Sequence, residues 1–323
     1  KRYLGIGSGT LANISGGVID SALSVGGGGT VNLSGGVAGN VYATDSGHLQ
    51  IIGGNFRVNG VPLSGLGIGQ SLPLDVPSDG LLTGVLADGT PFAISNQRLD
   101  YITAGTLTLT ATTLPAATPR TFHAPMDALP HGLRAGQSLV VSAGGHVPKN
   151  FTATTGTSIT MTGGEIEEGL EMVGSVVDIS GGAVGGLASV FAGSVFNLSG
   201  GSIGSNVYAG RGSLANIRGG NVGMLFETGA GSRVNFTGGT IDDILMVHAG
   251  SEFVISGGEF RLNGSLIGGL NALGSTRAID IPANAVLSGT LADGRPFAFS
   301  DQLSDYIDAG TLTLKSASLP TAG

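Results

Sequence analysis

Apolar and polar residues alternate ahead of a repeated Gly-Gly step along most of the chain. Alternation with a period of two is typical of a β-strand that buries one face. In most of these steps the residues two and four positions before the first glycine are apolar, and both columns are predicted to face inward. In most steps the residue between them is polar, and this column is predicted to face outward. This polar column contains Asn13, Asn32, Gln50, Thr160, Asp178, Asn197, Asn216 and Asn235.

The Gly-Gly steps recur at a nearly fixed spacing. From residue 144 onward their first glycines lie 19 residues apart with one interval of 18: Gly144, Gly163, Gly181, Gly200, Gly219, Gly238 and Gly257. A fixed period of this kind indicates a solenoid, in which each turn stacks on the next. A further glycine, usually followed by Ser or Thr, marks a second corner in each repeat. We therefore expect three short strands per turn.

The repeat favours a β-solenoid over helical architectures. No segment between the glycine corners is long enough to carry a helical period of 3.6 residues. The leucine-rich repeat motif is also absent. The sequence predicts an all-β chain, a parallel β-helix with turns of about 19 residues. A right-handed coil is predicted because crossover connections between parallel strands are right-handed.

A second level of repetition divides the chain into two tandem modules. The segment 84–109 returns as 289–314, an offset of 205 residues. Each copy contains an Asp-Gly pair between alternating residues, Asp88-Gly89 and Asp293-Gly294, which predicts a β-hairpin turn. We interpret these hairpins as parts of caps that cover an open sheet edge. The predicted organisation is β-helix turns over 1–56, a cap over 57–115, a proline-rich linker over 116–136, β-helix turns over 137–260 and a second cap over 261–323.

The segment Val195 to Gly220, VFNLSGGSIGSNVYAGRGSLANIRGG, contains one complete repeat. Its Gly-Gly turns resemble those of right-handed β-helix proteins that bacteria secrete or display, including autotransporter passengers and planctomycete-type repeat proteins. The resemblance implies a secreted or cell-surface location and an adhesive or structural role. Related β-helices include polysaccharide lyases, so the resemblance also leaves a polysaccharide-binding or polysaccharide-degrading protein open.

The composition of the chain argues against several classes of partner and site. Its 14 basic and 22 acidic residues give a net charge of -8, which argues against a nucleic-acid partner. Cysteine is absent, so no disulfide or thiolate metal site is available. No apolar run reaches the roughly 18 residues of a membrane span. The sequence predicts no cofactor.

One constellation has the residue types of acid–base catalysis. His146 and Glu165 fall in one column of adjacent turns, and Lys149 and Glu168 fall in another. A histidine, a lysine and carboxylates on one exterior edge could serve a polysaccharide lyase or hydrolase. Solvated ion pairs between adjacent turns are the commoner explanation of such a pattern. We therefore predict that the chain is not an enzyme, and we keep these four residues as the catalytic alternative.

The adjacent carboxylates Asp242 and Asp243 are the alternative metal site. A calcium ion needs about six to eight oxygen ligands, and one acidic pair supplies far fewer. The sequence therefore predicts no metal.

The 205-residue offset places residue 1 in the middle of a turn, so the first module lacks its opening turns. An open turn exposes unpaired backbone groups and is expected to pair with something. We expect either neighbouring modules or end-to-end self-association. The leading hypothesis is an extracellular structural or adhesive β-helical rod, part of a tandem array or fibre; the alternative is a polysaccharide-binding or lyase-like β-helix.

Overall fold

The computed structural model describes residues 3–44, 46–96, 100–300 and 305–320. These residues form strands, turns and loops, and no helix occurs among them. Parallel coils with a spacing of about 19 residues stack into a β-solenoid of about 13 turns. The predicted parallel β-helix is confirmed, and the right hand of its coil stays a prediction. No helix long and apolar enough to cross a membrane occurs in the described part of the chain.

The strands are numbered in chain order. The first group is β1 (Tyr3–Ile6), β2 (Leu11–Val25), β3 (Thr30–Ala43), β4 (His48–Val58), β5 (Val61–Pro62), β6 (Ser71–Pro73), β7 (Leu81–Leu86), β8 (Pro91–Ser95), β9 (Tyr101–Ile102), β10 (Leu107–Ala111), β11 (Arg120–Ala124), β12 (Gly132–Leu133), β13 (Gln137–Val141), β14 (His146–Val147) and β15 (Phe151–Ala153). The second group is β16 (Ser158–Ile166), β17 (Leu170–Val173), β18 (Val176–Val184), β19 (Ala188–Phe191), β20 (Val195–Leu198), β21 (Ser202–Ile203), β22 (Asn206–Ala209), β23 (Leu214–Val222), β24 (Leu225–Thr228), β25 (Arg233–Ile241), β26 (Ile244–Val247), β27 (Glu252–Leu262), β28 (Ser265–Leu266), β29 (Thr276–Ile279), β30 (Val286–Leu291), β31 (Pro296–Ser300), β32 (Tyr306–Ile307) and β33 (Leu312–Ser316).

The chain divides into two compact units. Unit 1 comprises Lys1–Arg120, Leu129–Gln137 and Pro148–Thr154, and unit 2 comprises Thr121–Ala128, Ser138–Val147 and Thr155–Gly323. In unit 1 the strands β1, β2, β3, β4 and β10 pair in parallel, and β6 adds to β10 in the antiparallel sense. The predicted hairpin is formed by β7 and β8, and β7 pairs with β4.

Unit 2 repeats this plan with more turns. The strands β16, β18, β20, β23, β25, β27 and β33 lie in parallel along one sheet, and β29 adds to β33 in the antiparallel sense. The second predicted hairpin is formed by β30 and β31, and β30 pairs with β27. A second sheet of unit 2 contains β17, β19, β22, β24, β26 and β32.

The columns of the sequence become columns of the solenoid. In β18 and β20, Val177 lies opposite Phe196 and Ile179 lies opposite Leu198, and these side chains are buried. Aromatic rings in edge-to-face and tilted contacts fill the core farther along unit 2. The Phe253 ring is fully buried, and its centroid lies 6.0 Å from that of Phe226. The core thus consists of the same repeat positions in successive turns.

The polar column faces outward and forms a ladder of amide side chains, as predicted. The Nδ2 atom of Asn197 donates to Asp178 Oδ1 at 2.7 Å, and Asn216 Nδ2 donates to Asn197 Oδ1 at 2.8 Å. Asn235 continues the ladder by donating to Asn216 Oδ1 at 2.8 Å. In unit 1, Asn32 donates to Asn13 in the same way at 2.8 Å. Each bond joins side chains of neighbouring turns, so the ladder fixes the stacking register.

Several Gly-Gly corners do not separate two strands, although three separate strands per turn were predicted. In β16, β18, β23 and β25 the corner lies inside one strand, and the pairing register shifts there. The second glycine supplies the bend, as at Gly182 in β18 with a φ of 85°. A Cβ atom at Gly182 would also lie 2.6 Å from the carbonyl oxygen of Gly164 in the neighbouring turn. Glycine is therefore required both for the bend and for the close approach of adjacent turns.

The segment 116–136, predicted to be a linker from its prolines, contains strands β11 and β12. In β11 the side chains of Phe122 and Ala124 are buried, as alternation requires. Pro119 and Pro125 stand immediately before and after this strand, where the missing N–H does not interrupt a ladder. The prolines thus border a strand here.

Candidate functional site

The structure brings His146 and Glu165 together as register partners of β14 and β16. The carboxylate closest to the imidazole belongs to Glu167, whose Oε2 lies 3.8 Å from His146 Nε2. Both side chains are open to solvent, with 59% and 46% of their surfaces exposed. This pair has the geometry of a solvated surface contact.

Lys149 has a partner that the sequence did not indicate. It belongs to unit 1, where its Nζ lies 3.1 Å from Asp20 Oδ1. The next residue, Asn150, donates from Nδ2 to the Asp20 carbonyl oxygen at 3.4 Å. Glu168, which the sequence placed in the same column, belongs to unit 2 and is exposed. The contacts of Lys149 thus hold two segments of unit 1 together.

The acidic pair considered as a metal site lies between β25 and β26. Asp242 Oδ2 accepts a hydrogen bond from Asn221 Nδ2 at 2.6 Å. Within the described ranges, no group of three or more His, Asp or Glu residues is arranged to hold a metal ion. The observed partner of Asp242 is an amide of the preceding turn.

Unit 2 carries an open cleft of about 510 Å³ on the outer face of its long sheet. Its floor lies on the outward column of β23, β25, β27 and β33. Asn216 lies opposite Asn235, Asn235 opposite Val254, and Val254 opposite Thr313. At strand spacings of about 4.8 Å, this floor extends roughly 14 Å across the strands. Its side chains are short, whereas longer ones form the rim. We call this surface the unit 2 cleft.

The rim of the unit 2 cleft is cationic. It carries Arg218, Arg233 and Lys315 and one acidic residue, Glu252. Arg233 is paired with Glu252, with 2.8 Å between Nε and Oε2. Among the described residues, Arg218 and Lys315 make no ion pair. The cleft therefore concentrates positive charge on a chain whose net charge is -8.

Unit 1 has the same scaffold with a neutral rim. The equivalent positions follow from the strand registers, since Ser15 lies opposite Gly35 as Arg218 lies opposite Gly238. On this basis Ser15 corresponds to Arg218, Thr30 to Arg233 and Thr110 to Lys315. Because unit 1 forms this face without the three cations, the scaffold does not require them.

The structure contains a second histidine–carboxylate pair, which was not predicted from the sequence. His248 Nε2 lies 3.4 Å from Glu227 Oε1, and the Glu227 side chain is only 17% exposed. The Tyr306 ring lies beside the imidazole, with 5.6 Å between ring centroids. These groups are of the types used in general acid–base chemistry. The pair is closer and less exposed than that of His146.

Paired aspartates fasten the caps in both units, and we call these contacts the cap latches. Asp88 accepts backbone N–H groups of Gly36 and Thr90, each at 2.8 Å. Its counterpart Asp293 accepts those of Gly239 at 2.8 Å and Arg295 at 3.0 Å. These carboxylates close the hairpin turn and join it to a Gly-Gly corner of the solenoid.

A second latch uses a buried carboxyl group. Asp100 accepts backbone N–H groups of Val41 and Ser95, each at 2.6 Å. Its counterpart Asp305 accepts those of Leu245 at 2.8 Å and Ser300 at 2.7 Å. Burial raises the pKa of Asp100 to about 7, because desolvation of the carboxylate outweighs the two hydrogen bonds that lower it.

Comparison of the chain with protein-family models, curated proteins and solved structures finds no match.

Proposed function

We propose that the chain is a non-catalytic structural or adhesive β-solenoid of the bacterial cell exterior. The cap latches carry this proposal. At equivalent positions of both units, aspartates accept backbone N–H groups and fasten a hairpin to the solenoid. Repeat proteins need capped ends to stay soluble and to avoid edge-to-edge association. The shared polar residues are thus explained by the construction of a repeated building block.

The extracellular location is proposed from the resemblance of the Gly-Gly turns to secreted and displayed bacterial β-helices. In such a setting, repeated blocks serve as spacers or as surfaces for attachment. The catalytic alternative would use His146 with Lys149, Glu165 and Glu168, or the pair of His248 with Glu227.

We further propose that unit 1 associates through the edge of its sheet, with a second copy or with a neighbouring module. Within the described ranges, strand β1 pairs with residues 22–25 of β2. Among the described residues, the part of β2 over 11–17 therefore has β3 as its one strand neighbour, and Leu11 there is 60% exposed. Unpaired strand edges of this kind are templates for association.

Incubation of the purified chain with acidic and neutral polysaccharides tests the absence of catalysis. We expect no unsaturated products by ultraviolet absorbance and no new reducing ends. The His146→Ala, Lys149→Ala and His248→Ala variants serve as active-site controls. Turnover by the chain that one of these substitutions abolishes would overturn the proposal and identify the acid–base group.

A further inference from the structure

We propose that the unit 2 cleft binds an anionic polysaccharide, with carboxylate or sulfate groups of the sugars held by Arg218, Arg233 and Lys315. This inference rests on the proposed adhesive function and names the class of ligand that the adhesive surface takes.

The charge of the rim determines the sign of the ligand. Arg218 and Lys315 stand on opposite strands of the cleft, β23 and β33, and make no ion pair among the described residues. Three cations and one carboxylate leave an excess of two positive charges around the floor. Arginine is suited to carboxylate and sulfate because its planar guanidinium donates two parallel hydrogen bonds. A ligand with anionic groups at intervals along the cleft fits this arrangement.

The floor determines the kind of anion. Asn235 donates to Asn216 through Nδ2, and its Oδ1 accepts no hydrogen bond within the described part of the chain. The ladder ends there because Val254 occupies the next position of the column. The hydroxyl of Thr313 follows on β33. Hydrogen-bonding groups that alternate with a half-buried apolar side chain match the hydroxyl groups and the apolar ring face of a sugar.

The lining of the cleft disfavours a nucleic acid as the ligand. Single-stranded nucleic acids are held by aromatic side chains that stack on the bases. The described lining of the cleft contains no aromatic residue. The volume of about 510 Å³ lies within the usual range of ligand sites, roughly 300–1,000 Å³.

The test measures equilibrium binding of the full chain by calorimetry. The probes are a uronic-acid oligosaccharide, a sulfated oligosaccharide, a neutral oligosaccharide of equal length and a single-stranded DNA. We expect an acidic oligosaccharide to bind, the neutral one not to bind, and the affinity to fall as salt is added.

The decisive variant replaces the three cations by the residues of unit 1, R218S/R233T/K315T. These residues are compatible with the same scaffold, so folding should be retained, which circular dichroism and thermal unfolding verify. We expect an affinity loss of roughly 100-fold or more, because several charge-assisted hydrogen bonds are removed. The matched control is Arg277→Ser on β29. Arg277 alternates with the cleft residue Thr276 and donates to the Gly268 carbonyl oxygen at 2.6 Å, so binding should be unchanged.

Removal of the acidic residue should act in the opposite direction. Glu252→Gln releases Arg233 from its ion pair and removes a like charge from the path of an anionic ligand. We expect the affinity for the acidic oligosaccharide to rise roughly two- to five-fold, the range that an exposed ion pair accounts for.

The outcomes separate this inference from the proposed function. Binding of no acidic oligosaccharide, or equal binding by the triple variant, would overturn the cleft as the site and leave the non-catalytic solenoid standing. Tighter binding of single-stranded DNA would overturn the ligand class. Release of products from a bound polysaccharide would overturn the proposed non-catalytic function, whatever the triple variant shows.

Discussion

A buried carboxyl group can serve as a catalytic acid or as a structural hydrogen-bond acceptor. The aspartates of the caps have the structural role. Asp100 is buried and accepts two backbone N–H groups, from Val41 and Ser95. A buried carboxyl group with a raised pKa is often read as a catalytic acid. Here the equivalent position of the other module, Asp305, makes the same pair of contacts. The repetition assigns both residues to the fastening of a hairpin.

The raised pKa of Asp100 predicts a pH dependence of stability. Its pKa is about 7 in the folded chain and about 3.8 when unfolded, so the folded state binds more protons between these values. The contribution of protonated Asp100 to the free energy of unfolding is therefore complete below pH 4. This contribution is lost as the pH rises through 7, and above that pH the free energy of unfolding no longer depends on Asp100. At about 1.4 kcal/mol per pKa unit, the loss is on the order of 4 kcal/mol. Urea unfolding across this range measures it, and Asp100→Asn should remove most of the slope; an unchanged slope would contradict the assignment.

Removal of the Asp293 carboxylate, which forms the other cap latch of unit 2, is predicted to destabilise the fold. Asp293→Ala leaves the N–H groups of Gly239 and Arg295 without their acceptor. We expect a loss of about 1–3 kcal/mol in the free energy of unfolding. The control is Asp243→Ala, an exposed aspartate whose removal should change stability by less than about 0.5 kcal/mol. Equal effects of the two substitutions in chemical denaturation would argue against a latch.

At the scale of strands and turns, inward and outward columns make different contributions. The inward columns supply buried area, as in the packing of Phe253 against Phe226. The outward amide ladder fixes the pairing register of neighbouring strands, because each hydrogen bond joins residues of adjacent turns. Shifting a strand by one residue would place every apolar side chain of that strand on the wrong face. The two columns therefore specify the same pairing independently.

The ladder makes a prediction at Asn197, which lies outside the unit 2 cleft. This side chain donates to Asp178 and accepts from Asn216, so Asn197→Ala removes two hydrogen bonds. We expect a loss of about 1–2 kcal/mol in the free energy of unfolding. Thr160→Ala is the control, since Thr160 occupies the same column and makes no side-chain ladder bond within the described ranges. A loss at Thr160 as large as that at Asn197 would show that the ladder bonds do not stabilise the stack.

At the scale of the whole molecule, the repeat explains how much of the fold could be predicted from the sequence. Alternation and the spacing of about 19 residues are local properties, and they predicted the parallel coils, the registers and the outward ladder. Several Gly-Gly corners, as in β16 and β18, proved to be bends inside strands, because pairing resumes after the second glycine. The strands β11 and β12 in the segment 116–136 were not predicted, because the prolines of this segment were interpreted as marks of a linker.

The unit 2 cleft could not be found from motifs. Arg218 and Lys315 are far apart in sequence and meet only because β33 of the cap continues the sheet after β27. One signal was available, namely the comparison of equivalent outward positions in the two modules. The equivalents of Arg218, Arg233 and Lys315 in unit 1 are neutral. Differences between copies of a shared scaffold thus indicate function more directly than the scaffold itself.

In the proposed binding site, the outer face of a common solenoid scaffold binds an anionic ligand because three cations are placed on it. The most direct test transfers these cations to unit 1 in the variant S15R/T30R/T110K and measures the stoichiometry of an acidic oligosaccharide by titration calorimetry. We expect the number of sites per chain to rise from one to two. We expect a single site when the same graft is combined with R218S/R233T/K315T. A stoichiometry that stays at one in the grafted chain, with both units folded, would show that the three cations do not create a binding site on this scaffold.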